Sequence, residues 1–173
     1  GNMGEANRSE PNRLTIHEYN NHERGLVRSK TTQTLNELDI DGSGWPDLDM
    51  LLVAQYERIE PEFRSPRSGK PIQGILVVLS NCRSGVREED FNDWYNSTHI
   101  PELLGTGFYH TANRYRLVVS EPDAPRYATI YETEQEATSA ANALLAYRGK
   151  WTQHATHGMV YEVGLRGVFQ SIC

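Results

Sequence analysis

Cysteine is scarce in this chain, with two in 173 residues: Cys82 closes an apolar run and Cys173 is the last residue. Two such positions make no disulfide framework, and a reducing cytoplasm is the expected setting. Long apolar runs are missing too. No stretch reaches the roughly 20 apolar residues that span a bilayer. The opening "GNMGEANRSEPNR" lacks the apolar centre of a secretory signal, so no membrane partner is expected. Basic clusters are absent at a net charge of −6, and phosphate neutralisation needs clustered Lys and Arg, so nucleic acid is not an expected partner. No GxGxxG, Walker, HExxH or GxSxG pattern occurs, which leaves nucleotide, phosphate and serine-hydrolase readings without support.

What is present is an ordinary globular composition, 38% hydrophobic and 23% charged, in a chain long enough for one large domain or two small ones. The second half carries the clearer pattern. "GILVVLSNC" (74–82) reads as a buried strand between Pro/Gly and "RSG" punctuation. "VREEDFNDWYNSTH" opens on Glu88, Glu89 and Asp90, which suit a helix N-terminus, and sets Phe91, Trp94, Tyr95 and Thr98 on one face. "FYHTANRYRLVV" (108–119) and "RYATIYETE" (126–134) read as strands, "EATSAANALLAYRGKWTQHA" as an Ala-rich helix and "GMVYEVGLRGVFQSI" as a last strand. Strand, helix, strand, strand, helix, strand is the ferredoxin-like order, an α+β class with an antiparallel sheet and helices on one face.

The first half resembles an abridged copy. Tyr19-Asn20-Asn21-His22 parallels Tyr95 to His99, and "PDLDMLLVAQYERIE" (46–60) parallels "PDAPRYATIYETE" (122–134), at nearly one offset. Two tandem units are therefore expected, an abridged one over 14–60 and a complete one over 74–173. The intervening "RIEPEFRSPRSGKPIQG" (58–74) reads as a loop.

Candidate chemistry centres on "DFNDWYNSTHIPELL" (90–104). His99 follows Tyr95 by four residues, one turn along the same face. Pro101 is expected to end the helix, placing His99 among free carbonyls that favour its charged form and suit acid–base work; a structural cap is the alternative. Trp94 and Tyr95 either pack the core or line a cavity for an aromatic ligand. Asn81, at the end of its strand, either holds a substrate carbonyl or an adjacent loop. His110 and Arg114 share one strand face, and Tyr109, Asn113 and Tyr115 the other, with nothing to say which face meets a cavity. Tyr131 is a candidate proton donor to an enolate or phenolate oxygen. His154 and His157 read as solvated helix-end residues, so no metal site is expected. His17 and His22, five apart, do not share a helical face.

"NCRSGVREEDFNDWYNSTHIPELLGTGFYHTANRYRL" followed by "PRYATIYETE" resembles the EthD-like branch of the dimeric α/β-barrel superfamily, closely over 74–134 and more weakly over the Tyr19–Glu57 half. The resemblance implies two ferredoxin-like units packed in a dimeric α/β-barrel-type architecture, here with homodimer formation expected. It implies a pocket between sheet and helices and, among known relatives, cyclases, decarboxylases, isomerases, cofactor-free monooxygenases and haem-degrading proteins. The expectation is thus a cofactor-independent enzyme for an aromatic or polyketide-like small molecule. His99, Tyr131 and His110 would be catalytic, and Asn81, Trp94, Tyr95 and Arg114 would bind substrate. A cofactor-free monooxygenase and a non-catalytic small-molecule-binding or oligomerisation module are the alternatives.

Overall fold

The computed structural model describes residues 54–118, 124–150 and 160–170. Residues 14–53 of the expected abridged unit, with His17, Tyr19 and His22, lie outside the described residues, as do His154 and His157. Among the described residues, β1 (Tyr56–Arg64), β2 (Gly74–Cys82), β3 (Thr111–Leu117), β4 (Tyr127–Thr133) and β5 (Tyr161–Gln170) form one antiparallel sheet in the order β1-β3-β4-β2-β5. A helical segment joins β2 to β3: α1 (Glu88–Trp94), a π-helical turn (Tyr95–His99) and α2 (Ile100–Gly105). Helix α3 (Ala137–Tyr147) and a 3₁₀ turn (Arg148–Lys150) follow β4. Each helical crossover skips one strand, since β4 lies between β2 and β3, and β2 between β4 and β5. This α+β fold is compatible with the ferredoxin-like arrangement. No helix among the described residues is long and apolar enough to cross a membrane.

Burial explains why the strands read as they do. In β2, Leu76 and Val78 face the helices while Val77 and Leu79 face away, yet all four are at most 9% exposed. A strand covered on both sides has no reason to alternate, hence the unbroken apolar run. On β4 the helix-facing set is Tyr127, Thr129, Tyr131 and Thr133, all buried. The core joins these to Phe91, Tyr95, Ile100, Leu103 and Leu104 of the helical segment and to Ala140 and Leu144 of α3. Each fully buried ring removes roughly 150–250 Å² from water, or about 4–6 kcal/mol before ordering entropy is counted.

One expectation is corrected. The segment expected to be a loop begins as a strand: Arg58–Arg64 pairs with β3 as part of β1. Ile59 and Phe63 pack against the core while Arg58, Glu60 and Arg64 are exposed. Pro61 conceals that alternation. It sits where the register shifts between Ile59 and Phe63, on an edge strand, where a missing N–H disrupts no central ladder.

Helix α3 is anchored at its start. The Glu136 carboxylate accepts the N–H groups of Thr138 (2.9 Å) and Ser139 (2.7 Å), and Gln170 Oε1 accepts that of Ala137 (2.8 Å). Three of the donors that a helix N-terminus leaves open are thereby satisfied. The helix start also lies hard against β2: a Cβ on Gly74 would fall 2.6 Å from Ala137 Cβ, so only glycine fits there.

Candidate functional site

The helix carrying His99 does not end at Pro101, contrary to the sequence expectation. A proline inside an α-helix lacks the N–H for the i−4 bond and its ring strikes that carbonyl. Here the turn ahead of it is widened: Ile100 N–H bonds to the Tyr95 carbonyl, five residues back. Pro101 then enters as an early residue of α2, where proline is well tolerated. Since the helix runs on to Gly105, no C-terminal dipole falls on His99. The π turn is a local insertion of a kind often found where side chains are aimed at a site.

It aims His99 into a box of rings. The imidazole stacks on Trp94 at 5.0 Å and 21°, meets the Tyr95 edge at 4.8 Å, and lies 5.7 Å from Tyr161. His99 is 3% exposed. Beside it a pocket of about 70 Å³ opens between sheet and α3, walled by Leu76, Val78, Leu103, Leu144 and Val168, and carrying His99, Tyr131, Tyr161 and Arg166 as its polar groups. On the α3 side the pocket is lined by Ala141 between Leu144 and Leu145, and the short alanine side chain leaves space there.

The Tyr131 phenol is completely buried, and burial holds its pKa well above the ordinary tyrosine value. It can therefore serve as a donor and not as a base. Its O–H points to Tyr95 Oη at 3.4 Å, long against the roughly 2.7–2.8 Å of a good O–H···O bond. That donor is weakly engaged. Tyr95 Oη also accepts from Thr129 Oγ1 at 3.3 Å.

Arg114 stands behind Tyr95, outside the pocket. Its guanidinium carbon is 4.4 Å from the Tyr95 ring centre and 5.3–5.4 Å from those of Tyr127 and Phe91. Its Nη1 donates to Asn96 Oδ1 (2.7 Å) and its Nη2 to Asn92 Oδ1 (2.9 Å). Burial lowers its pKa from the usual guanidinium value. From Asn92 the network continues, as Nδ2 donates to Tyr127 Oη (3.2 Å), which donates to Glu88.

The remaining sequence candidates fall elsewhere. His110 is buried just before β3, with Nδ1 2.8 Å from Thr111 Oγ1, and does not line the pocket. Asn81 Oδ1 accepts the Arg126 N–H at 2.8 Å, holding the approach to β4. Trp94 and Tyr95 back His99 without lining the pocket. Of the residues named from sequence, the structure brings His99 and Tyr131 to one cavity. Two others, Tyr161 and Arg166, sequence reasoning did not find. Strand alternation puts residues five apart on opposite faces, but β5 pairs Val163 with Ser80 and Leu165 with Leu79, leaving Gly164 as an extra residue. That bulge returns Arg166 to the face of Tyr161. Among the described residues, no group of three or more His, Cys, Asp or Glu could hold a metal ion.

A family model described as a domain of unknown function (DUF4286) matches residues 74–158. The matched stretch starts with β2 and includes His99 and Tyr131, while Tyr161 and Arg166 lie beyond it. No curated protein matches the chain significantly.

Proposed function

We propose that this chain is a cofactor-independent enzyme that acts by general acid–base chemistry on an aromatic or polyketide-like small molecule. One observation carries the reading: His99 and Tyr131, from separate elements, meet at one mainly apolar pocket. Forming a carbanion next to a carbonyl needs a base for the proton and a donor for the developing oxyanion, in surroundings poor in water. An imidazole supplies the first, and a phenol held in its neutral form supplies the second. At about 70 Å³, the pocket is well below the roughly 300–1,000 Å³ that encloses a drug-sized ligand. It admits a short chain or part of a ring, with the rest of the molecule outside.

The test is hydrogen–deuterium exchange at the enolisable carbon of phenylacetone, followed by NMR. The wild type is expected to accelerate exchange over buffer, and His99→Ala to lose about 10²–10⁴-fold with an unchanged circular dichroism spectrum. Equal exchange by both proteins would sink the reading. Oxygen uptake with a turned-over substrate would redirect it to a cofactor-free monooxygenase.

The EthD-like assignment and its dimeric α/β-barrel assembly belong to the same proposal. They are supported by the "FNDWY…HIPE" segment. Sedimentation equilibrium of the full chain is expected to give a dimer; a monomer at tens of micromolar would remove the barrel.

A further inference from the structure

We propose that Arg166 is the anion anchor of this pocket and that its ligand is a small carboxylate, bound with its apolar body against Leu76, Val78 and Leu144. The inference rests on the acid–base reading above and narrows its substrate class. Six other arginines sit on carboxylates: Arg58 and Arg64 on Glu62, Arg67 on Glu134, Arg87 on Asp90, Arg116 on Glu57 and Arg126 on Glu88. Arg114 is held by Asn92 and Asn96. Among the described residues Arg166 has no such acceptor, and no Asp or Glu lines the pocket it faces. The bulge at Gly164 is what turns it to that side.

Burial orders the groups along the pocket. His99 is 3% exposed at the inner end, whereas Leu145 (61%) and Val168 (37%) share the outer rim with the exposed Arg166. A guanidinium set among apolar rim residues matches an amphipathic anion, and its planar fork fits a carboxylate through two parallel hydrogen bonds. The carboxylate is then a handle and the reacting carbon lies inward, near His99. Pairing with Arg166 also stabilises the carboxylate in the ground state, which opposes its loss as carbon dioxide. Isomerisation or cyclisation is therefore favoured over decarboxylation.

Titrations of phenylacetate and its neutral isostere phenylacetamide, followed by ¹H–¹⁵N NMR at low salt, test the anchor. The wild type is expected to bind phenylacetate about fivefold or more tightly than the amide. Arg166→Gln should abolish that preference and Arg166→Lys should keep part of it, with salt weakening phenylacetate alone. Equal affinities in the wild type, or a preference that survives Arg166→Gln, overturn the anchor. If both probes bind equally and perturb His99, the pocket stands and only the anchor falls. If neither binds at millimolar concentration, both the anchor and the pocket reading fall.

Discussion

Two arginines reach the helix-covered side of the sheet from opposite flanks, Arg114 from β3 and Arg166 from β5, and their surroundings differ completely. At the first flank α1 supplies Phe91, the π turn supplies Tyr95 and β4 supplies Tyr127; these rings are at most 1% exposed and close over the guanidinium. At the second flank α3 supplies Ala141, Leu145 stands 61% exposed, and a cavity remains. The same side chain is a strut in one place and an available charge in the other. Neighbouring volume decides which, and that volume is set by a helix rich in aromatics on one side and in alanine on the other.

The largest effect that would sharpen this contrast is at the closed flank. Arg114→Ala leaves the Asn92 and Asn96 carboxamide oxygens without their donor and opens a void among three rings. Two orphaned acceptors cost roughly 1–3 kcal/mol each, and release of a buried charge offsets part of that, so a net loss of about 2–4 kcal/mol is expected in urea denaturation. Arg114→Lys should rescue little, because an ammonium does not span both amides. The same truncation at the open flank, Arg166→Ala, should stay within about 0.5 kcal/mol. Comparable losses at both positions would erase the distinction between strut and anchor.

Much of this architecture is legible in the residues, for physical reasons that also mark where legibility stops. β2 and the Ala-rich α3 announce themselves by composition, and the spacing from Tyr95 to His99 places both rings on one face whether the turn is α or π. Three features are written in backbone hydrogen bonding and leave little trace in residue type. The π turn depends on Ile100 bonding five residues back, which "YNSTHIP" does not specify. The β5 bulge inverts the face of everything after Gly164, so simple alternation separates Tyr161 from Arg166. Pro61 breaks the charged–apolar rhythm of β1, and the segment reads as a loop although Ile59 and Phe63 keep their inward places. Arg114 shows the converse limit. Its strand position was readable, but its neighbours arrive from 18 to 22 residues away through the fold.

The smallest effect concerns the wall of the open flank. The Glu136 carboxylate, bonded by the Ser139 side chain and by the Ser139 and Thr138 N–H groups, has its pKa lowered to about 2. An unfolded glutamate titrates near about 4.3. The native state therefore binds this proton less readily than the unfolded state, and the capping contribution is fully present above about pH 5 and is lost as pH falls towards 2. Because Glu62 and Glu134 are also held below the usual carboxylate range by Arg64 and Arg67, the acid loss of the wild type alone is not diagnostic; the difference from Glu136→Gln is. That difference in melting temperature is expected to be favourable to the wild type at pH 6, to shrink steadily below pH 5 and to close near pH 2, with faster amide exchange at Thr138 and Ser139 in the variant throughout the upper range. A difference independent of pH would mean that Glu136 holds α3 by shape and not by charge, and the pocket wall would then be indifferent to acid.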